Sequence, residues 1–129
     1  VFLLYGIAAV MPIMRKQGAG HIINVASVSA HRLDPTAAVY CATKFAVRAL
    51  SEGLRQESGN LRVTVVSPGL TRSELAEGIS DAQVKAGVRE MMDQASIPAS
   101  AIAEAVGYAI SQPANVDVNE IIVRPTAQG

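Results

Sequence analysis

The chain has 129 residues, half of which are apolar, and its eleven basic and eleven acidic residues cancel. This length and composition suffice for one folded domain with its own core, and we predict that residues 1–129 form a single domain. A balanced charge gives no electrostatic reason to expect nucleic acid or an anionic membrane surface as a partner. Small molecules and other protein surfaces remain as candidates.

Residues 2–16 carry apolar or small side chains on nearly every face, which predicts a buried helix that ends at Gly18. The opening segment lacks the basic residues and the cleavage site of a secretion signal, and it is shorter than the roughly 20 residues needed to cross a bilayer. We therefore expect no membrane span. The single cysteine, Cys41, cannot form an intrachain disulfide, which favours a reducing cytoplasm, and no Cys/His cluster suggests a metal site.

Three short segments rich in β-branched residues have the pattern of buried strands in a parallel sheet: 21–27, 61–67 and 120–125. Helical patterns occupy three further segments: 38 to about 57, 81 to about 92, and 99 to about 111. Helices that alternate with buried strands are typical of a parallel sheet with right-handed crossovers. We predict an α/β fold, the second half of a Rossmann-like doubly wound parallel sheet with helices on both faces.

No glycine-rich GxGxxG or GxxxGxG turn occurs in the sequence, although that turn binds the cofactor phosphates in doubly wound folds. The chain also begins with Val1 inside a helical pattern, without a cap or preceding turn. We therefore expect the amino-terminal half with the dinucleotide loop to be absent, and residues 1–129 to be the carboxyl-terminal part of a larger fold.

Polar residues cluster where the predicted strands end, which is the edge of a doubly wound sheet that binds ligands. Ser27 ends the first strand, and Pro68-Gly69 breaks the second. Tyr40 and Lys44 share one face of the helix that begins near the same edge, because they are one helical turn apart. We expect a serine, a tyrosine and a lysine to converge on one pocket.

These three side chains suit proton transfer between an alcohol and a carbonyl. A phenol has an unperturbed pKa of about 10, and a nearby ammonium favours its phenolate form. A serine hydroxyl can hydrogen-bond the same substrate oxygen and orient it. Since no side chain supplies the hydride that carbonyl reduction requires, we predict a nicotinamide cofactor.

The arrangement resembles the classical type of the short-chain dehydrogenase/reductase family over essentially the whole chain. The family's YxxxK appears as Tyr40-Cys-Ala-Thr-Lys44, its serine after IxNxxS falls on Ser27, and its PGxVxT loop appears as Pro68-Gly-Leu-Thr-Arg-Ser73. Thr71 replaces the usual Val or Ile of that loop, and Ser73 replaces the usual Thr.

This resemblance implies that tyrosine is the general acid/base, that lysine also binds the nicotinamide ribose, and that serine orients the substrate. It implies cofactor contacts at Tyr40, Lys44 and four loop residues: Pro68, Gly69, Thr71 and Ser73. The fourth catalytic residue of the family, an asparagine, would precede Val1. The terminal strand is similar to that of bacterial reductases preferring NADP, so we expect NADP, with NAD as the alternative, and assembly into a homodimer or homotetramer through helices 2–16 and 38–57.

Two alternatives remain open. The chain could be an inactive fragment that acts only as a binding or structural piece, or part of an extended relative such as a sugar-nucleotide epimerase or dehydratase, which also uses YxxxK. The loop at Pro68 and the short carboxyl terminus argue against the second alternative.

Several other residues near the expected site are candidates for minor roles. Ser29 competes with Ser27, and the spacing to Tyr40 selects Ser27. We expect Asn24 to be structural, and His31 to be a solvated loop residue. Four apolar residues could form a lid over the substrate: Leu75, Ile79, Met91 and Met92.

Overall fold

The computed structural model of the protein describes all residues 1–129 and contains four α-helices, three β-strands and two short 3₁₀ helices. The helices are α1 (Phe2–Gln17), α2 (Ala38–Glu57), α3 (Ala82–Ala95) and α4 (Ala99–Ser111), and the strands are β1 (Gly20–Val25), β2 (Leu61–Pro68) and β3 (Glu120–Val123). The 3₁₀ helices span Val28–Ala30 and Glu74–Gly78. Gly18 ends α1 with φ of 70°, a left-handed conformation that glycine adopts without strain.

The strands form one parallel sheet in the order β1-β2-β3, so each strand pairs with its successor along the chain. Helices α1 and α2 cover one face, where Met11 packs with Ile22 and Leu61. The expectation of a buried helix at residues 2–16 is wrong, since Met11 is the only buried residue of α1 and Phe2 is 91% exposed. Helix α4 lies on the other face, where Arg62 donates hydrogen bonds to the main-chain oxygens of Ala109 and Gln112 near its end. This architecture confirms the predicted α/β sheet with helices on both faces.

Only the central strand is buried along most of its length. β2 has five successive buried residues, Val63 to Ser67, as the sequence pattern predicts. The expectation of buried strands is wrong for the other two, since Val25 of β1 is 52% exposed and Ile122 of β3 is 41% exposed. Both strands lie at the edges of this three-stranded sheet, so part of each is left uncovered.

Candidate active site

A cavity of about 360 Å³ opens at the carboxyl end of the sheet. Its lining includes Ser27, which follows β1, Tyr40 from the first turn of α2, and the loop that begins at Pro68. Because the carboxyl ends of parallel strands share one edge, residues far apart in sequence meet there. Six of the seven predicted site residues line this cavity, and the exception is Lys44.

Ser27 presents a hydroxyl whose proton is available to a ligand. Its Oγ accepts a hydrogen bond from the Ser29 main-chain N–H at 3.1 Å and thereby caps the first 3₁₀ helix. Accepting this bond leaves the Ser27 O–H free to donate. The competing Ser29 also lines the cavity, but its hydroxyl donates to Asp34 Oδ2 at 3.2 Å. The two serines therefore differ in that only the Ser27 hydroxyl keeps its proton for a ligand.

Tyr40 and Lys44 lie together on the first turns of α2. The Lys44 Nζ is 5.7 Å from the centroid of the Tyr40 ring, within the range of a cation–π contact. The tyrosine side chain is half-exposed and reaches the cavity, whereas the lysine lies outside the lining. The contact places a positive charge beside the aromatic ring of Tyr40.

The loop after β2 is held by hydrogen bonds to the last strand and to the segment that follows it. The Gly69 N–H donates to the Val123 main-chain oxygen at 2.7 Å, and the Leu70 N–H donates to Gln128 Oε1 at 2.8 Å. A Cβ added at Gly69 would meet the Arg124 Cβ at 2.6 Å and its Cα at 2.9 Å, closer than atoms pack. Only glycine fits at position 69 without displacing the backbone at Arg124.

The two hydroxyls of the same loop differ in the hydrogen bonds that they can still make to a ligand. The Thr71 Oγ1 donates to the Gly69 main-chain oxygen at 3.0 Å and can accept from a ligand. The Ser73 Oγ accepts from the Leu75 N–H at 3.3 Å, which caps the second 3₁₀ helix and leaves the serine proton free. Both residues line the cavity.

The donors at this edge fit the nicotinamide-ribose end of a dinucleotide. The Lys44 ammonium supplies three donors and the Tyr40 hydroxyl supplies one donor and two acceptor positions, which match a ribose diol. The half-exposed phenol is accessible to such a ligand. The chain has no glycine-rich turn for the pyrophosphate, so the fit extends to this end of the cofactor only.

The minor candidates have mixed outcomes. Asn24 is buried and structural as expected, although its partner is the Ser51 hydroxyl at 2.8 Å rather than an adjacent main-chain group. The Nε2 atom of His31 lies 2.8 Å from Glu120 Oε1, so this histidine is an ion-pair candidate rather than a solvated loop residue. Cys41 is fully buried, in agreement with a packing role. Of the expected lid residues, Leu75 and Met92 line the cavity, whereas Ile79 and Met91 do not.

Sequence reasoning missed two polar residues of the cavity lining, Arg32 and Gln128. Gln128 follows β3, and the segment after a parallel strand lies at the same sheet edge as the loops after its neighbours. That rule could have placed Gln128 near the site. Arg32 lies in the loop between Ser27 and α2, which carries no pattern that would single it out.

The chain is similar to known proteins along most of its length. A family model described as short chain dehydrogenase matches residues 3–84. An uncharacterized oxidoreductase of Staphylococcus saprophyticus is 52% identical over 97% of this chain, and one of Listeria monocytogenes is 44% identical over 97% of it. The chain spans about half the length of the curated relatives it matches, 52% of each of these two.

Solved structures agree as well. Serine dehydrogenase from Escherichia coli is 31% identical and superposes with a TM-score of 0.78, over 98% of this chain and 50% of that one. A closed form of serine dehydrogenase complexed with NADP⁺, also 31% identical, has a TM-score of 0.86 over 98% of this chain and 52% of that one. None of the helices in the structure combines the length and apolar character needed to cross a membrane.

Proposed function

Since the chain belongs to the short-chain dehydrogenase family of oxidoreductases, we propose that it is the carboxyl-terminal half of an NAD(P)-dependent enzyme that interconverts a small alcohol and its carbonyl. The observation that carries this proposal is the shared cavity of Ser27, Tyr40 and the Pro68 loop, with Lys44 beside the tyrosine ring. An amino-terminal half would supply the dinucleotide loop that this chain lacks.

Each of the three polar side chains has one role in this reaction. In carbonyl reduction Tyr40 Oη gives its proton to the carbonyl oxygen, and in alcohol oxidation the phenolate takes that proton back. Ser27 donates a hydrogen bond to the same oxygen and orients it. Lys44, whose Nζ lies 5.7 Å from the centroid of the Tyr40 ring, binds the ribose hydroxyls. The cofactor, when bound, supplies or accepts the hydride.

NADP is the preferred cofactor in this proposal and NAD is the alternative. The support is the NADP⁺ complex of the 31% identical serine dehydrogenase, together with the similarity of the terminal strand to NADP-preferring reductases. A ratio of kcat/KM with NADP to kcat/KM with NAD that is well above one would support this preference. A ratio below one would reverse it. We also assign the enzyme to the cytoplasm, because its single buried cysteine suits a reducing compartment.

The decisive experiment compares Tyr40→Phe with Tyr108→Phe in the full-length subunit. Tyr108 is an exposed tyrosine of α4 that does not line the cavity, so its variant matches the chemical change outside the site. We expect Tyr40→Phe to lower kcat by roughly 100-fold or more while cofactor affinity stays nearly constant, since only the proton donor is lost. Tyr108→Phe should leave kcat unchanged. A Tyr40→Phe enzyme with substantial residual turnover would contradict the assignment.

We further propose that the subunit assembles as a homodimer or homotetramer through α1 and α2. These helices expose large apolar side chains, including Leu4, Tyr5 and Leu50, and a groove of about 380 Å³ lies between them. Burying such side chains between subunits removes apolar surface from water. Sedimentation of the full-length protein as a monomer alone would count against this assembly.

A further inference from the structure

The cavity that holds Ser27 and Tyr40 has one charged side chain in its lining, and that side chain is basic. Arg32 is this residue, and no carboxylate lines the cavity. The other lining groups are hydroxyls, the Gln128 amide and apolar side chains such as Leu75 and Met92. A ligand in this cavity therefore meets a guanidinium and an apolar wall.

The Arg32 guanidinium is held in place but keeps free donors. Its Nε lies 2.9 Å from Asp34 Oδ1, and its Nη1 donates to the Gly129 main-chain oxygen at 2.9 Å. A guanidinium has five N–H donors, so three remain for a ligand. The side chain is 42% exposed, which leaves it accessible from the cavity mouth.

Gln128 adds a second donor beside Arg32. Its Oε1 accepts from the Leu70 N–H at 2.8 Å, which leaves the Nε2 protons without a protein acceptor. The next residue, Gly129, is the one that contacts the Arg32 guanidinium. The segment 128–129 thus bridges the Leu70 loop and the Arg32 loop, and both Arg32 and Gln128 line the cavity.

We propose that Arg32 and Gln128 form a carboxylate-binding subsite, so that the substrate is a small hydroxy acid or its oxo acid. This inference rests on the proposed function, because it assigns the reacting oxygen to Ser27 and Tyr40. The carboxylate accepts from the guanidinium and the amide, while the alkyl part of the substrate contacts the apolar wall. A planar guanidinium with parallel N–H groups suits a carboxylate better than a neutral hydroxyl.

The first experiment uses two alcohols that differ only at the relevant group. 3-Hydroxybutyrate and 2-butanol share the same secondary alcohol, and the carboxylate of the first replaces a methyl group of the second. We expect full-length enzyme to prefer the acid in kcat/KM by roughly tenfold or more, because charge-assisted hydrogen bonds are worth that much. Arg32→Gln should lower this preference by a similar factor.

Gln128→Glu gives a sharper second variant. A glutamate can still accept from the Leu70 N–H, but it replaces the amide donor by a negative charge that repels a carboxylate. We expect the preference for the acid to be lost or reversed. Arg89→Gln and Gln83→Glu make the same two chemical changes at exposed positions of α3 outside the cavity lining, and they should leave the preference unchanged.

The second experiment measures binding without turnover. Butyrate cannot be oxidised at a hydroxyl, so its titration into the full-length protein by calorimetry tests the subsite alone. We expect Arg32→Gln to weaken butyrate binding by roughly tenfold. Arg32-dependent butyrate binding without oxidation of either alcohol would retain the subsite and refute the proposed function. Turnover without preference for the acid, and butyrate binding that ignores Arg32, would refute the subsite and retain the function.

Discussion

The hydrogen bond between Asn24 and Ser51 fixes α2, the helix with the proposed acid/base, against β1, the strand that leads to Ser27. The Asn24 Nδ2 donates to Ser51 Oγ at 2.8 Å, and that hydroxyl donates to the Val47 main-chain oxygen at 2.7 Å. Ser51→Ala removes the acceptor and leaves the asparagine amide without a partner. We expect this single substitution to destabilise the fold.

The magnitude follows from burial. Asn24 is 6% exposed and Ser51 is 1% exposed, so water cannot replace the lost acceptor. A buried donor left without a partner costs about 1–3 kcal/mol. Alanine is the better helix former and recovers roughly 0.5 kcal/mol of that loss. We therefore expect Ser51→Ala to lower the free energy of unfolding by about 0.5–2.5 kcal/mol.

The assay is urea unfolding in a double-mutant cycle of Asn24→Ala and Ser51→Ala. The double variant leaves no unpaired amide, so it should cost less than the two single losses together, with a coupling energy of about 1 kcal/mol. Ser111→Ala is the control, because this exposed helical serine also donates to a main-chain oxygen, at 2.9 Å. Its cost should stay within about 0.5 kcal/mol. Additive losses in the cycle, or equal losses for Ser51→Ala and Ser111→Ala, would refute the reasoning.

Three further predictions concern the loop, the pH dependence of stability and the lysine. Gly69→Ala should lower the free energy of unfolding, measured by urea unfolding, by about 1–3 kcal/mol, because its new Cβ would lie 2.6 Å from the Arg124 Cβ. Burial is the main cause that lowers the pKa of His21 below its ordinary 6.5, and the charge of Arg62 is the second. As the pH falls below 6.5, the unfolded chain therefore binds a proton at His21 more readily than the folded protein does. The contribution of neutral His21 to the free energy of unfolding should therefore be fully present above pH 6.5 and decline below it, and His21→Gln should remove that decline. Lys44→Gln should lower kcat/KM by roughly 100-fold and weaken cofactor binding, since it removes both the charge beside the Tyr40 ring and the proposed ribose ligand.

Matched variants test each of these predictions. Gly78→Ala adds a Cβ that meets no atom within 4 Å, so a loss as large as that of Gly69→Ala would contradict the steric explanation. Lys85→Gln removes a partly buried lysine that is paired with Glu77 and does not line the cavity, and it should leave kcat/KM and cofactor affinity unchanged. If the stability of His21→Gln declined below pH 6.5 as steeply as that of the unaltered protein, the decline would have another source.

Much of the fold was predictable because its signals are local. The helical period of 38–57 and the β-branched run of 61–67 each specify an element within one segment, and both agree with the structure to within a residue. The two 3₁₀ helices have no recognisable sequence pattern, since turns of three to five residues are too short to show a period. The exposure of β1 and β3 was missed because a strand's neighbours are not encoded in its own pattern.

The candidate site likewise contains residues that a local pattern predicts and residues that only the folded chain brings there. Ser27 follows one strand end and Tyr40 begins one helix, so local patterns place both at the edge where the cavity opens, whereas Lys44 of the same helix lies outside the cavity lining. The contact between Leu70 and Gln128 spans 58 residues and depends on the course of the chain after β3. No local pattern encodes such a contact, and the cavity-lining role of Gln128 could be seen only in the folded chain.

This division suggests how the reaction and its specificity are separated in the molecule. The proposed reacting groups, Ser27, Tyr40 and Lys44, follow the end of β1 or lie on α2, and the Asn24–Ser51 bond fixes this strand and this helix to each other. Arg32 and Gln128 are the proposed hydrogen-bond donors to the substrate carboxylate. They lie in the loop before α2 and in the segment after β3, which are joined by the bond from Arg32 to Gly129. Because the second set can change without moving the first, substitutions at the rim can alter which alcohol is bound while proton transfer at Tyr40 is retained.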